Sequence, residues 1–246
     1  MSEQQTWSNP VRARLQAGLP AFGVTITVVS VEAAAHAATL GFDFLWIEME
    51  HSPITLETLR LMVLATRGLP AAVFARVPVV ALWTAKRMLD QGVSGVIFPF
   101  VNSPEKAAEA SAACRYPPTG KRGSGAGAAV RTWPVPGNYY DSADCEVMTI
   151  CVVEEASALD HIDAIAAAPG VDALFIGTSD LSFSLGLRGK QGDPELETPE
   201  QVRTFMEQGF LLFQLPTEIG LMELGARQLL EPLGISGIPP AKRALS

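Results

Sequence analysis

T-I-C-V-V-E-E (149–155) and V-D-A-L-F-I-G-T-S-D (171–180) decide the fold. Each is an apolar run of strand length that ends near a carboxylate, Glu154 in the first and Asp180 in the second. Between them A-L-D-H-I-D-A-I-A-A-A-P-G (158–170) has the composition of a helix. Strand, helix and strand in that order give two parallel strands, so both acids fall at the same end of the sheet. In parallel α/β proteins that end is where chemistry is done. Two carboxylates there suit a hard divalent cation whose remaining positions go to water and substrate.

The same alternation extends in both directions. F-G-V-T-I-T-V-V (22–29), F-D-F-L-W-I-E-M-E (42–50), A-A-V-F-A-R-V (71–77) and V-S-G-V-I-F-P-F-V (93–101) read as strands, each followed by an Ala- and Leu-rich helical run. Gly41, Gly68 and Gly92 close three of those helices, where the chain must turn left-handed before the next strand. Ser103-Pro104-Glu105 reads as an N-cap with proline at the first helical position. The pattern predicts a parallel sheet with right-handed crossovers, open or closed. An open dinucleotide-binding sheet carries G-x-G-x-x-G after its first strand, and this turn reads V-V-S-V-E-A-A-A (28–35). We therefore expect a TIM-type (β/α) barrel forming one domain over residues 1–246.

The strand count falls short. After Asp180 come a helix at 198–209, a strand at 210–217 and a last helix at 219–230. That makes seven strands where a closed barrel has about eight. One helix and one strand, roughly 25 residues at ordinary element lengths, are missing near residues 195–200. The expected consequence is an open seam between strands 171–177 and 210–217, partly covered by helix 198–209 through Phe205 and Met206.

Composition narrows the partners. Hydrophobic residues make up 48% and charged residues 18%, enough for a large core. The net charge of −8, with Lys and Arg scattered, disfavours nucleic acid and anionic membrane surfaces. The polar start M-S-E-Q-Q-T-W-S-N-P lacks a secretory pattern, and no apolar run is long enough to span a bilayer. Cys114, Cys145 and Cys151 show no C-x-x-C spacing and read as reduced thiols of a cytoplasmic protein.

Three further features carry chemistry. His51, just past the second strand in E-M-E-H (48–51), is a general-base candidate, and Glu48 three residues earlier is placed to orient its ring. Arg76 ends an otherwise apolar strand, so it must be paired or face the barrel mouth, where it suits a carboxylate or developing enolate. The glycine-rich loop C-R-Y-P-P-T-G-K-R-G-S-G-A-G (114–127) lacks the P-loop pattern, and glycines beside Arg122 would let backbone amides approach an anion.

Taken together, F-D-F-L-W-I-E-M-E-H (42–51), F-A-R-V-P (74–78), L-D-Q-G-V-S-G-V-I-F-P (89–99), R-Y-P-P-T-G-K-R-G-S-G (115–125), V-V-E-E (152–155) and L-F-I-G-T-S-D-L-S-F-S-L-G (174–186) resemble the HpcH/HpaI-type class II aldolase (aldolase/citrate lyase) family in order and spacing. The resemblance implies a barrel that binds a divalent cation (Mg²⁺, Mn²⁺ or Co²⁺) through Glu154 and Asp180, with His51 and Arg76 catalytic. It implies that the turn at Thr178 and Ser179 holds the pyruvyl carboxylate, and that Asp90 is lent across a subunit boundary. Family members cleave 4-hydroxy-2-oxo acids, often 2-keto-3-deoxy sugar acids, to pyruvate and an aldehyde. A homo-oligomer, a hexamer by resemblance, is implied as well. Three positions depart from the family pattern: Glu48 for the usual Asp, Thr25 for a frequent Trp, and Val152 for a frequent polar residue.

The expected function is thus a metal-dependent carbon–carbon lyase acting on a small 2-oxo acid. Two alternatives stand beside it. One is a catalytically dead, truncated barrel that binds or oligomerises. The other is an acyl-CoA lyase, which would need Arg115, Lys121 and Arg122 as a phosphate-binding patch.

Overall fold

The computed structural model describes residues 8–133, 138–188 and 198–235. Helix α1 (Pro10–Gln16) precedes β1 (Ala21–Ile26), α2 (Val31–Ala37), β2 (Phe44–Glu48), α3 (Leu56–Ala65), β3 (Ala72–Arg76) and α4 (Leu82–Leu89). Then come β4 (Gly95–Phe98), α5 (Pro104–Cys114), α6 (Ala129–Thr132), α7 (Tyr139–Glu146) and β5 (Met148–Val153). The remainder is α8 (Ala156–Leu159), α9 (Ile162–Ala166), β6 (Ala173–Ile176), α10 (Thr178–Ser184), α11 (Pro199–Glu207), β7 (Leu212–Leu215) and α12 (Glu218–Leu230).

All strand pairs are parallel, in the order β6-β5-β4-β3-β2-β1-β7. Phe175 on β6 meets Trp46 on β2 edge-on, with ring centroids 5.0 Å apart. Strands so far apart in the ladder touch only if the sheet curls, and the result is a nearly closed barrel of the TIM type.

Side-chain alternation divides the core in two. Leu45, Ile47, Val73, Ala75, Val96, Phe98, Cys151 and Val153 face the helices. Phe44, Trp46, Phe74, Ile97, Met148, Ile150 and Val152 fill the barrel. Glycine makes the interior fit: a Cβ on Gly23 would lie 2.1 Å from the Phe44 ring, and one on Gly95 2.6 Å from Phe74. The two rings stack at 5.1 Å in the space those glycines leave. Helix α1 plugs the end opposite the acids, with Val11 in the interior cluster and the Asn9 amide donating to the carbonyls of Ser94 and Glu146, each at 3.0 Å.

The local signals perform as expected. Gly41, Gly68 and Gly92 have φ of 97°, 78° and 101°, and the Ser103 hydroxyl accepts the Lys106 amide to cap α5. The run 158–170 differs: it forms two short helices, α8 and α9, interrupted at Asp160 and His161.

The seam is open. Among the described residues β6 pairs only with β5 and β7 only with β1, as the missing strand requires. The junction expected near 195–200 lies largely outside the described residues. The expected cover is corrected: α11 buries no residue, Met206 is exposed, and Phe205 turns to Phe210 with centroids 5.6 Å apart. Phe205 packs against Phe210 of its own segment, so the stripe it forms with Val202 and Met206 is not pressed into the opening.

Candidate active site

Trp46, Glu48 and Glu50 succeed one another on the inward side of β2 and its extension. Glu48 is buried and saturated. Its Oε1 accepts the amides of Glu50 and His51 at 2.7 and 3.0 Å, and its Oε2 accepts Trp46 Nε1 at 3.2 Å and Arg76 Nε at 2.7 Å. Arg76 stands opposite Glu48 in the β2–β3 ladder, with its guanidinium 5.7 Å over the Trp46 ring and 3.2 Å from Glu50 Oε2. The lone arginine of an apolar strand is thus paired at the mouth, which removes the cost of burying its charge.

Glu154 follows β5, and its Oε1 accepts the Phe100 amide at 2.6 Å. Phe100 adopts φ 51°, which costs a non-glycine residue about 1–3 kcal/mol. A hydrogen bond to a charged acceptor is worth about as much, so the bond to Glu154 is strong enough to hold the turn. On the other side, a Cβ on Gly177 would fall 2.7 Å from Glu154 Oε2. Only glycine leaves that oxygen its place. Asp180 lies three residues further on, in the first turn of α10.

The acids feel one another. Burial pushes Glu154 up to about 7, and Glu50 and Asp180 add to this against the Phe100 bond and Arg76. Burial likewise pushes Glu50 up to about 7, opposed by Arg76 and reinforced by Glu48 and Asp180. Glu50 Oε2 is buried without a hydrogen bond. Mutually repelling carboxylates, with Glu50 Oε2 ion-paired to Arg76 but not hydrogen-bonded, offer hard oxygen donors of the kind a divalent cation takes. Among the described residues no group of three or more His, Cys, Asp and Glu side chains is placed to hold a metal ion.

A sequence model of the HpcH/HpaI aldolase/citrate lyase family matches residues 26–211, a span that holds every residue of this cluster. The chain belongs to that family. It is 33% identical to a hydroxypyruvate/pyruvate aldolase of Roseobacter denitrificans, over 87% of this chain and 85% of that protein. It is 37% identical to a 4-hydroxy-2-oxovalerate aldolase of Rhodococcus jostii, over 77% and 73%. The crystal structure of an HpcH/HpaI aldolase/citrate lyase family protein from Burkholderia cenocepacia superposes with a TM-score of 0.82 at 29% identity, covering 92% of this chain and all of that one.

In this HpcH/HpaI chain, Glu48, Arg76, Glu154 and Asp180 come together, and His51 stands at the rim with its side chain 58% exposed. The expected role of Glu48 is corrected: it holds the backbone of the turn, and the carboxylate nearest the His51 ring is that of Glu50, at 3.8 Å from Nε2. Sequence reasoning missed Glu50. The alternation of Trp46, Glu48 and Glu50 on one side of the strand is the signal that marks it.

Thr178 and Ser179 open α10 beside Asp180 instead of forming a free turn. Asp90 caps the C-terminal end of α4, at the opposite end of the barrel from Arg76, where it accepts from Arg122 at 3.4 Å. Within one chain it does not reach the site. In the glycine-rich loop the Arg122 side chain turns inward. Arg122 is fully buried, donates to Tyr139 at 3.2 Å and lies 4.5 Å over Tyr116, so it is not presented to an anion. Arg115 is buried against Asp172, which leaves Lys121 alone of the three residues a CoA phosphate patch would need. None of the helices described is long and apolar enough to cross a membrane.

Proposed function

We propose that this chain is a metal-dependent aldehyde-lyase that cleaves a 4-hydroxy-2-oxo acid or 2-keto-3-deoxy sugar acid to pyruvate and an aldehyde. The carrying observation is the cluster of Glu50, Glu154 and Asp180, which act on one another's charge at the strand ends, with Arg76 held 3.2 Å from Glu50. Glu154 and Asp180 would hold the divalent cation (Mg²⁺, Mn²⁺ or Co²⁺), with Glu154 Oε2 given its place by Gly177. When bound, that cation supplies Lewis-acid polarisation of the substrate's keto group.

The residues of the chain do the rest. The first amides of α10, at Thr178 and Ser179, receive the pyruvyl carboxylate. His51 takes the proton of the C4 hydroxyl, directly or through one water, as the C3–C4 bond breaks. The carbonyl of the aldehyde forms from that oxygen, and the bonding pair passes to C3 as the pyruvate enolate. Arg76, locked by Glu48, stabilises the enolate oxygen. Protonation at C3 by solvent completes pyruvate. Asp90 would join the site only from a neighbouring subunit of a homo-oligomer, with a hexamer as the assembly that the resemblance suggests and the cytoplasm as its location.

The test is pyruvate release from 2-keto-3-deoxy acids before and after metal removal by EDTA. Turnover should vanish with the metal and return with added Mn²⁺. Equal turnover after complete removal would rule the reading out.

A further inference from the structure

Among the described residues Phe100 is the only one other than glycine with a positive φ, 51°. Glycine or asparagine is the ordinary occupant of that region. Burial of the ring does not account for the exception, since Phe100 is 37% exposed, in a shallow cleft with Pro78 and Val79. The main chain accounts for it. On one side Phe98 pairs with Cys151 in the β4–β5 ladder. On the other the Val101 amide donates to the Val152 carbonyl at 3.1 Å, and the Asn102 side chain donates to Glu155. With both flanks tied to β5, the backbone turn at residue 100 sets where its amide points. That amide meets Glu154 Oε1 at 2.6 Å. Lys106 Nζ, 3.2 Å from the Phe100 carbonyl, braces the turn from outside.

The consequence falls on the carboxylate of Glu154. Its Oε1 is taken by the Phe100 amide, and its Oε2 lies where Gly177 leaves room. The group therefore stands at the strand ends with its rotation fixed and one oxygen left for an ion. Partners of this kind, one bond removed from a metal, orient the ligand and raise its affinity. Relaxing residue 100 to negative φ would carry the amide off Oε1 or pull Val101 off β5. The carboxylate would then rotate freely, and an ion would have to order it on binding.

We propose that Phe100 is a positioning residue: the left-handed turn of its backbone, independent of its ring, aims the Glu154 carboxylate at the divalent cation. This rests on the metal-dependent reading of the site and adds how that ligand is held. The experiment titrates Mn²⁺ into the metal-free full chain and follows the free ion by its paramagnetic resonance signal, with the melting temperature of each metal-free protein measured beside it. Phe100→Gly and Phe100→Val both remove the ring. Only glycine takes φ of 51° freely, whereas a branched Cβ resists it.

The expected Mn²⁺ affinity of Phe100→Gly is within about threefold of the unaltered chain, and that of Phe100→Val is weaker by about tenfold or more. Should the valine variant not fold, Phe100→Ala takes its place, since alanine also resists positive φ without a branched Cβ. Its affinity should then fall clearly below that of the glycine variant. Equal affinity in the two variants overturns the inference while leaving the metal-dependent reading intact. If both match the unaltered chain and only the melting temperature of the valine or alanine variant falls, the turn serves stability alone. If both are equally weak, the ring is what matters. An unaltered chain that binds no Mn²⁺ overturns the metal-dependent reading and the inference with it.

Discussion

Glu154 and Glu50 differ from Glu48 in what satisfies them. Glu48 has two backbone amides, an indole and a guanidinium on its two oxygens, whereas Glu154 has one amide and Glu50 has an oxygen with no hydrogen bond. Both poorly satisfied acids are held up near 7. For a carboxylate whose folded pKa is raised, the associated stability is full below the ordinary value of 4.5 and is lost as pH rises through about 7. A divalent cation offsets the repulsion that then appears, and at lower pH it must first displace protons. The rise in melting temperature caused by Mn²⁺ should therefore be larger at pH 8 than at pH 6. Equal shifts, or a larger one at pH 6, would mean that the ion binds elsewhere.

At the scale of the elements, the strands were legible because burial on both faces writes them as continuous apolar runs, and their order followed from the alternation with helices. The acids closing β5 and opening α10 were legible for the same reason: a charge after such a run has only the mouth to occupy. Glu50 was not, because its inward direction depends on the chain continuing the alternation of β2 past its last ladder bond. Arg122 was misread because a basic residue among glycines reads as exposed, while burial over Tyr116 and Tyr139 is a long-range fact. The break between α8 and α9 gave no local warning beyond His161. Shortening the barrel by one strand leaves β6 and β7 each with an unpaired edge. Their seam-facing amides should exchange with deuterium faster than those of β2 and β3, which are paired on both sides. Protection of β6 and β7 equal to that of β2 would indicate that the seam is closed.

At the scale of the whole molecule, the site and the seam are separable. Helix α1, the Phe44–Phe74 stack and the β1-to-β5 ladder hold Glu48, Arg76 and Glu154 without help from the missing unit. Asp180 alone is carried by β6, the strand at the seam. The last helix tells a different story: α12 buries no residue and leaves Met222 and Leu229 each 72% exposed. Apolar exposure on that scale fits the homo-oligomer proposed above. The central claim, that Glu154 and Asp180 carry one catalytic cation despite the shortened barrel, is tested most directly by titrating Mn²⁺ into the metal-free protein while following binding and pyruvate release together. The account predicts one ion per chain, turnover that rises in step with its binding, and loss of both in Glu154→Gln and Asp180→Asn. Turnover by the metal-free chain, or undiminished binding in those variants, would contradict it.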